Sequence, residues 1–293
     1  MQEAFAKCHP VINFLFFAGA VVLGVCFLHP YFLMCSAGLA ALYYLLLNKG
    51  RKKRFFFGIL AVSVVIVLLN PLFNANGATV LFCWAAGRPY TLEALLYGAA
   101  AGSMFFSVML WFACWQRVMS GDRLLCVFGR LAPAASLLLT MVFRLLPYLQ
   151  RKAKEIAAAA RCAGSRTGSR KQRLQVSAAE LSALTSFALE GSQITADAMK
   201  SRGYGSGKRT SFARFRVSAA DAAALAYLCS CLVAVAVGAA FGKTAVSFSP
   251  RLFFARSGAA LWLSLGGCAA FLLFPSILQI KEDILWSFFR SKI

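Results

Sequence analysis

An all-α polytopic membrane protein, with about six transmembrane helices and a cytosolic domain of long amphipathic helices, is the fold class this sequence predicts. Three observations carry it. The 293 residues are 60% hydrophobic with a mean hydropathy of +0.70. Only 14% are charged, against about 25% in an ordinary soluble domain. Several apolar runs reach the roughly 17 to 25 residues that a helix needs to cross a bilayer. Basic residues gather in a few loops between those runs, as the positive-inside rule describes.

Six spans follow in order: 11–29, 31–47, 55–73, 92–115, 220–241 and 257–275. The first run imitates a signal peptide, but it is long for an h-region and leads straight into a second run, so it reads as a retained span. His29-Pro30 separates the two, because proline favours a turn over a continued helix. The loop N-K-G-R-K-K-R, residues 48–54, is the most basic short loop and predicts a cytosolic end. Both termini then lie inside. The loop carrying Lys243, Arg251 and Arg256 falls outside, a mild departure from the rule.

Leu131 to Leu149 is apolar enough to imitate a seventh span, but it holds Arg144, is interrupted by Pro133 and Pro147, and has arginines on both flanks. An interfacial or bundle-packed helix fits better, with Pro147 bending it towards the cytosol. The chain therefore divides into transmembrane helices 1–4 over 1–115, a cytosolic domain over 116–219, and two further spans with a short tail over 220–293. The central domain holds 18 lysines and arginines against five acids, a net charge of +13 out of the total +21. It contains a helix from about Tyr148 to Cys162 and another from about Leu174 to Arg202. Leu174, Leu181, Leu184, Phe187 and Ile194 mark an apolar stripe on the second, and Gly191 is its one candidate break.

The two helices end alike. One closes A-A-A-A-R-C-A-G, with Arg161 before Gly164, and the other A-D-A-M-K-S-R-G-Y-G, with Arg202 before Gly203. A cation in the last turn and a glycine stop are ordinary C-terminal chemistry. Small residues beside a permanently charged fork also suit a paired docking device. Both readings account for the pattern.

The segment Ala196 to Tyr204, followed by Lys208-Arg209-Thr210, resembles the second coupling motif of the transmembrane T component of energy-coupling factor (ECF) transporters, the EcfT/CbiQ family that includes cobalt-transport permeases. Phe143-Arg144-Leu145-Leu146-Pro147 is similar to that family's entry to its first coupling helix, and Ala160-Arg161-Cys162 to its first motif, with cysteine where glycine is usual. His29-Pro30, Asn70-Pro71, Thr91-Leu92-Glu93-Ala94 and Pro275, Glu282 and Trp286 extend the resemblance along the chain. It implies a non-catalytic coupling subunit of an ABC-type importer in a bacterial or archaeal cell membrane. Its partners would be two ABC-type ATPases and a substrate-binding S component that takes up a vitamin or transition-metal ion. Arg161, Gly164, Ala198, Met199, Arg202, Gly203 and Tyr204 would dock on the ATPases. Arg144, Pro147 and Glu155 would serve structurally, with an Arg144–Glu155 pair as one arrangement.

Other signals lead elsewhere or nowhere. Gly238 to Thr244 imitates a phosphate-binding loop but has three residues between its glycines where four are needed. The ten cysteines include no C-x-x-C, and neither histidine pairs with one at zinc spacing, so no metal, cofactor or disulfide framework is expected. Cys229 and Cys231, two apart on a helix, point to nearly opposite sides. The G-x-x-x-G pairs Gly98/Gly102 and Gly238/Gly242 read as internal packing rather than partner contact. Glu93 reads as water-solvated at the outer boundary. The basic charge points to membrane lipid and an acidic partner; no nucleic-acid motif accompanies it. The competing function is an integral membrane lipid-modifying enzyme, for which two N-terminal histidines are poor catalytic material. A permease that binds its own solute is disfavoured by the near-absence of polar clusters in the spans.

Overall fold

A computed structural model describes residues 5, 8–48, 53–74, 79–83, 89–129, 132–164, 169–207, 218–241, 246–247, 253–254 and 258–290. Each apolar run folds as a helix because a backbone in lipid must satisfy its own polar groups. The helices are α1 (Pro10–Cys26), α2 (Pro30–Asn48), α3 (Lys53–Phe73), α4 (Leu92–Val118), α5 (Gly121–Phe128), α6 (Pro133–Cys162), α7 (Arg170–Ser201), α8 (Ala219–Ala240) and α9 (Ala259–Arg290). Among the described residues, α2, α3, α4, α8 and α9 are long and apolar enough to cross a membrane. The apolar helix α1 is shorter, at 17 residues, or about 25 Å. The polytopic helical class therefore holds, with α1 at the lower limit of span length.

The chain separates into two units, one of Met1–Leu124 with Phe215–Ile293, the other of Leu125–Arg214. In the first, α4 packs on α1, α2 and α3, α9 packs on α2 and α8, and a buried aromatic cluster lies among them. Phe16 stacks on Phe271 at 5.2 Å and meets Trp111 edge-on at 5.5 Å. Both are geometries that ring quadrupoles favour. Close helix approach comes from small residues. A Cβ on Gly98 would stand 2.8 Å from the Val67 carbonyl oxygen, and one on Gly102 2.6 Å from a Val67 methyl. The Ser63 hydroxyl donates to the Gly102 carbonyl at 2.6 Å. Gly238 on α8 lies directly against Ser264 on α9. These glycines thus serve internal packing; Gly242 lies outside the described residues. Cys231 is buried and Cys229 exposed, as their spacing predicts.

Several boundaries differ from the sequence reading. Pro147 does not separate two helices: α6 runs from Pro133 to Cys162 with that proline inside it. Helix formers continue on both sides, and the single lost hydrogen bond does not end the helix. Pro275 likewise lies inside α9, which runs 15 residues past the expected end of the span. Gly191 does not break α7. Two short antiparallel hairpins close inter-helix loops: β1 (Val80–Cys83) with β2 (Pro89–Thr91) before α4, and β3 (Val246–Ser247) with β4 (Phe253–Phe254) before α9.

Two carboxylates have structural duties that the sequence did not reveal. Glu93 is buried rather than water-solvated, and accepts from the Thr79 backbone N–H at 3.2 and 3.3 Å, tying the hairpin segment to the first turn of α4. Asp221 accepts from the Ser218 N–H and hydroxyl, each at 3.0 Å, closing a capping box on α8. It also accepts from the His9 N–H at 3.1 Å, which joins the head of α8 to the head of α1.

Candidate coupling site

The second unit is built on α6 and α7, helices of 30 and 32 residues, or about 45 and 48 Å. They pack together around Phe187. Its ring lies 5.8 Å from that of Tyr148, and the Lys152 ammonium sits 5.2 Å from its centre. Lys152 also donates to the Glu155 carboxylate at 2.9 Å, and that bond raises its pKa above the usual lysine value. Glu155 therefore pairs with Lys152 and not with Arg144. Arg144 lies eleven residues earlier on the same unbroken helix, about 16 Å away along its axis. Arg144 and Pro147 are exposed, and the Pro147 carbonyl accepts from Arg151 Nε at 3.4 Å.

The apolar stripe on α7 is only partly covered. Leu184 and Phe187 are half-buried, whereas Leu174, Leu181 and Ile194 are 64–69% exposed. Val142, Leu145 and Leu146 on α6 are exposed as well. Apolar surface of this extent marks a segment made to be covered by something else.

Both helices end on a glycine in the left-handed region, Gly164 at φ 74° and Gly203 at φ 79°. At the second, the Gly203 N–H donates to the Lys200 carbonyl at 2.9 Å and the Tyr204 N–H to the Met199 carbonyl at 3.0 Å. This is a Schellman motif, and it satisfies carbonyls that a helix end leaves open. The Arg202 N–H still donates to the Ala198 carbonyl at 3.2 Å, so Arg202 is the C-cap itself. At the first end, the Gly164 N–H donates to the Arg161 carbonyl at 3.0 Å and the C-cap is Ala163. Arg161 thus lies two residues farther inside its helix than Arg202 does. Both are exposed, as are Cys162, Ala198 and Tyr204, while Met199 is half-buried.

The structure gathers Ala198, Met199, Arg202, Gly203 and Tyr204 into one cap and Arg161 with Gly164 into another. Arg161 is 13 residues beyond Tyr148 and Arg202 is 15 beyond Phe187, so the tips extend about 20 and 22 Å from the contact between the helices. Each tip adds cations to the negative end of a helix dipole. Among the described residues, no group of three histidine, cysteine or acidic side chains is placed to hold a metal ion.

Taken together, the apolar helical unit and the second unit with two arginine-bearing helix ends define a polytopic membrane component. The chain belongs to the CbiQ family, described as cobalt transport protein: the family's sequence profile matches residues 5–212, a stretch that includes both arginine caps. It is accordingly a transmembrane component of a transport system. Comparison with curated proteins returns no match.

Proposed function

We propose that this chain is the coupling subunit of an ECF-type ABC importer, carrying ATP-driven motion from two cytosolic ATPases to a substrate-binding S component for uptake of a vitamin or transition-metal ion. The observation that supports this most is the pair of capped, exposed arginine tips on long helices. Two tips, one on each helix, suit two sockets, one on each ATPase of a pair. A helix is stiff along its axis, so movement at either tip carries to the contact around Phe187. Arg161 and Arg202 provide the charged fork, while Gly164 and Gly203 stop each helix shortly beyond it. Ala198, Met199 and Tyr204 shape the second tip. In this reading the loop 48–54 and both termini are cytosolic, in a bacterial or archaeal cell membrane.

The test is co-purification of the full chain from its native membrane. Two ATPase chains and one small membrane subunit are expected with it, and the chain purified alone should show no saturable ATP binding by calorimetry. Micromolar ATP binding to the isolated chain, or its isolation without any ATPase, overturns the division of labour.

A further inference from the structure

An apolar groove runs between α3 and α4, lined by Arg54, Phe55, Gly58, Ile59, Val62, Phe105 and Met109, with a volume of about 970 Å³. Its lining is ordered by polarity. Arg54 stands at one end, at the start of α3, and every other lining residue is apolar over the following two turns, about 12 Å of helix. Gly58 leaves the groove open: a Cβ there would meet nothing within 4 Å.

The short loop that leads into Arg54 carries charge of one sign. Residues 49–54 contain five lysines and arginines and no acid. Arg117, near the end of α4, reaches the same side of the molecule by donating to the Asn48 side-chain oxygen at 2.6 Å. The first acid after this loop is Glu93, at the opposite end of α4. One anionic head and one apolar chain match this profile in order.

We infer that the α3–α4 groove is a binding site for an anionic phospholipid, its acyl chain lying along Gly58, Ile59 and Val62 and its phosphate at Arg54. A guanidinium holds a phosphate through two parallel hydrogen bonds, which a lysine cannot reproduce. A second groove supplies the contrast. It is lined by Gly38, Ala41, Leu42, Leu45 and Leu46, with Asp283 as its one charged residue. A carboxylate in that position repels the headgroup that Arg54 attracts. The site does not depend on the coupling role proposed above.

The experiment uses the delipidated full chain in detergent, offered equal amounts of phosphatidylglycerol and phosphatidylcholine with identical acyl chains, with adducts read by native mass spectrometry. The wild type is expected to retain phosphatidylglycerol at least fivefold over phosphatidylcholine. Arg54→Gln should bring the ratio close to one, and Arg54→Lys should keep an intermediate preference. Gly58→Leu fills the groove and should remove the tightly held adduct, whereas Gly38→Leu, equally roomy at its own Cβ, should leave it in place. Monodisperse elution and an unchanged unfolding temperature certify each variant, and Arg54→Gln alters only an exposed helix end. An unchanged ratio in Arg54→Gln, or equal loss from Gly38→Leu, overturns the site. Loss of a co-purifying membrane protein from Gly58→Leu with lipid retention intact would assign the groove to a protein instead.

Discussion

Arg161 and Arg202 precede left-handed glycines, yet the first sits inside its helix and the second forms the cap. Two positions on a helix turn a side chain by about 200°, so relative to their stops the two forks face nearly opposite ways. Losing one charge-assisted, partly desolvated contact costs about 1.5 to 3 kcal/mol. Arg202→Glu is therefore expected to abolish ATPase association or transport, while Arg161→Glu leaves a measurable remainder. Cys162→Gly should bring the first tip closer to the second in importance. Solute uptake and ATPase co-purification at matched membrane expression measure all three, and equal loss from both reversals with no effect of Cys162→Gly overturns the hierarchy. A second residue-scale prediction concerns Cys8, whose thiol is pushed up first by burial and then by the Asp221 carboxylate. Since the thiolate is the nucleophile, iodoacetamide at pH 8 should modify exposed Cys162 well before Cys8, and Asp221→Asn should speed the Cys8 reaction. Peptide mass spectrometry reads both rates; equal rates in the unmodified chain contradict the assignment. The arginine–glycine stops were legible in the sequence because a helix end is local. The Glu93–Thr79 and Asp221–His9 bonds were not. They join residues 14 and 212 apart, and no periodicity encodes such a meeting.

At the scale of elements, the spans were legible because an apolar run of this length has few other fates in a chain so hydrophobic. Their ends were less so. Pro147 is expected to bend its segment and the last span to end at 275, yet each proline lies inside a longer helix. The local rule registers the missing N–H but not the helix-forming residues beyond it. The sequence marks an apolar stripe on α7, of which only Leu184 and Phe187 near its middle are covered. Periodicity says which residues share a face and not what meets that face. The G-x-x-x-G pair on α4 was read correctly, and it yields a direct test of the α3–α4 contact. Gly102→Leu forces a side chain to within 2.6 Å of Val67 and 2.9 Å of the Ser63 carbonyl oxygen. Overpacking of this kind costs about 1–3 kcal/mol. Gly58→Ala, on the open side of α3, meets nothing and should be close to neutral. Thermal unfolding of both variants in one detergent makes the comparison, and equal destabilisation would mean that α3 and α4 do not pack through Gly102.

Across the whole molecule, charge and hydropathy divide the work. The apolar helices of the first unit carry few charges, whereas the stretch from 116 to 219 holds a net +13. Moving that excess across a membrane is opposed by the bias that retains lysine and arginine in short loops on the cytosolic side. Loop 48–54, with its five basic residues, should lie on the same side, and the α3–α4 connection on the other. The α6 segment makes this demanding, since 131–149 is apolar over a length close to that of a span. If it crossed, the basic residues on one side of it would be exported while those on the other remained. Single cysteines at Lys52, Ser169 and Asn76 in a cysteine-free background, treated with an impermeant thiol reagent, separate the arrangements. In intact cells only position 76 should react, and positions 52 and 169 should become reactive after permeabilisation. Labelling of position 169 from outside would place the α6–α7 connection beyond the reach of a cytosolic ATPase and remove the coupling role proposed for Arg161. Labelling of position 52 from outside would invert the first unit, placing the most basic short loop on the side that the positive-inside rule forbids. The result therefore bears on both the orientation of the membrane helices and the side on which the two arginine tips can work.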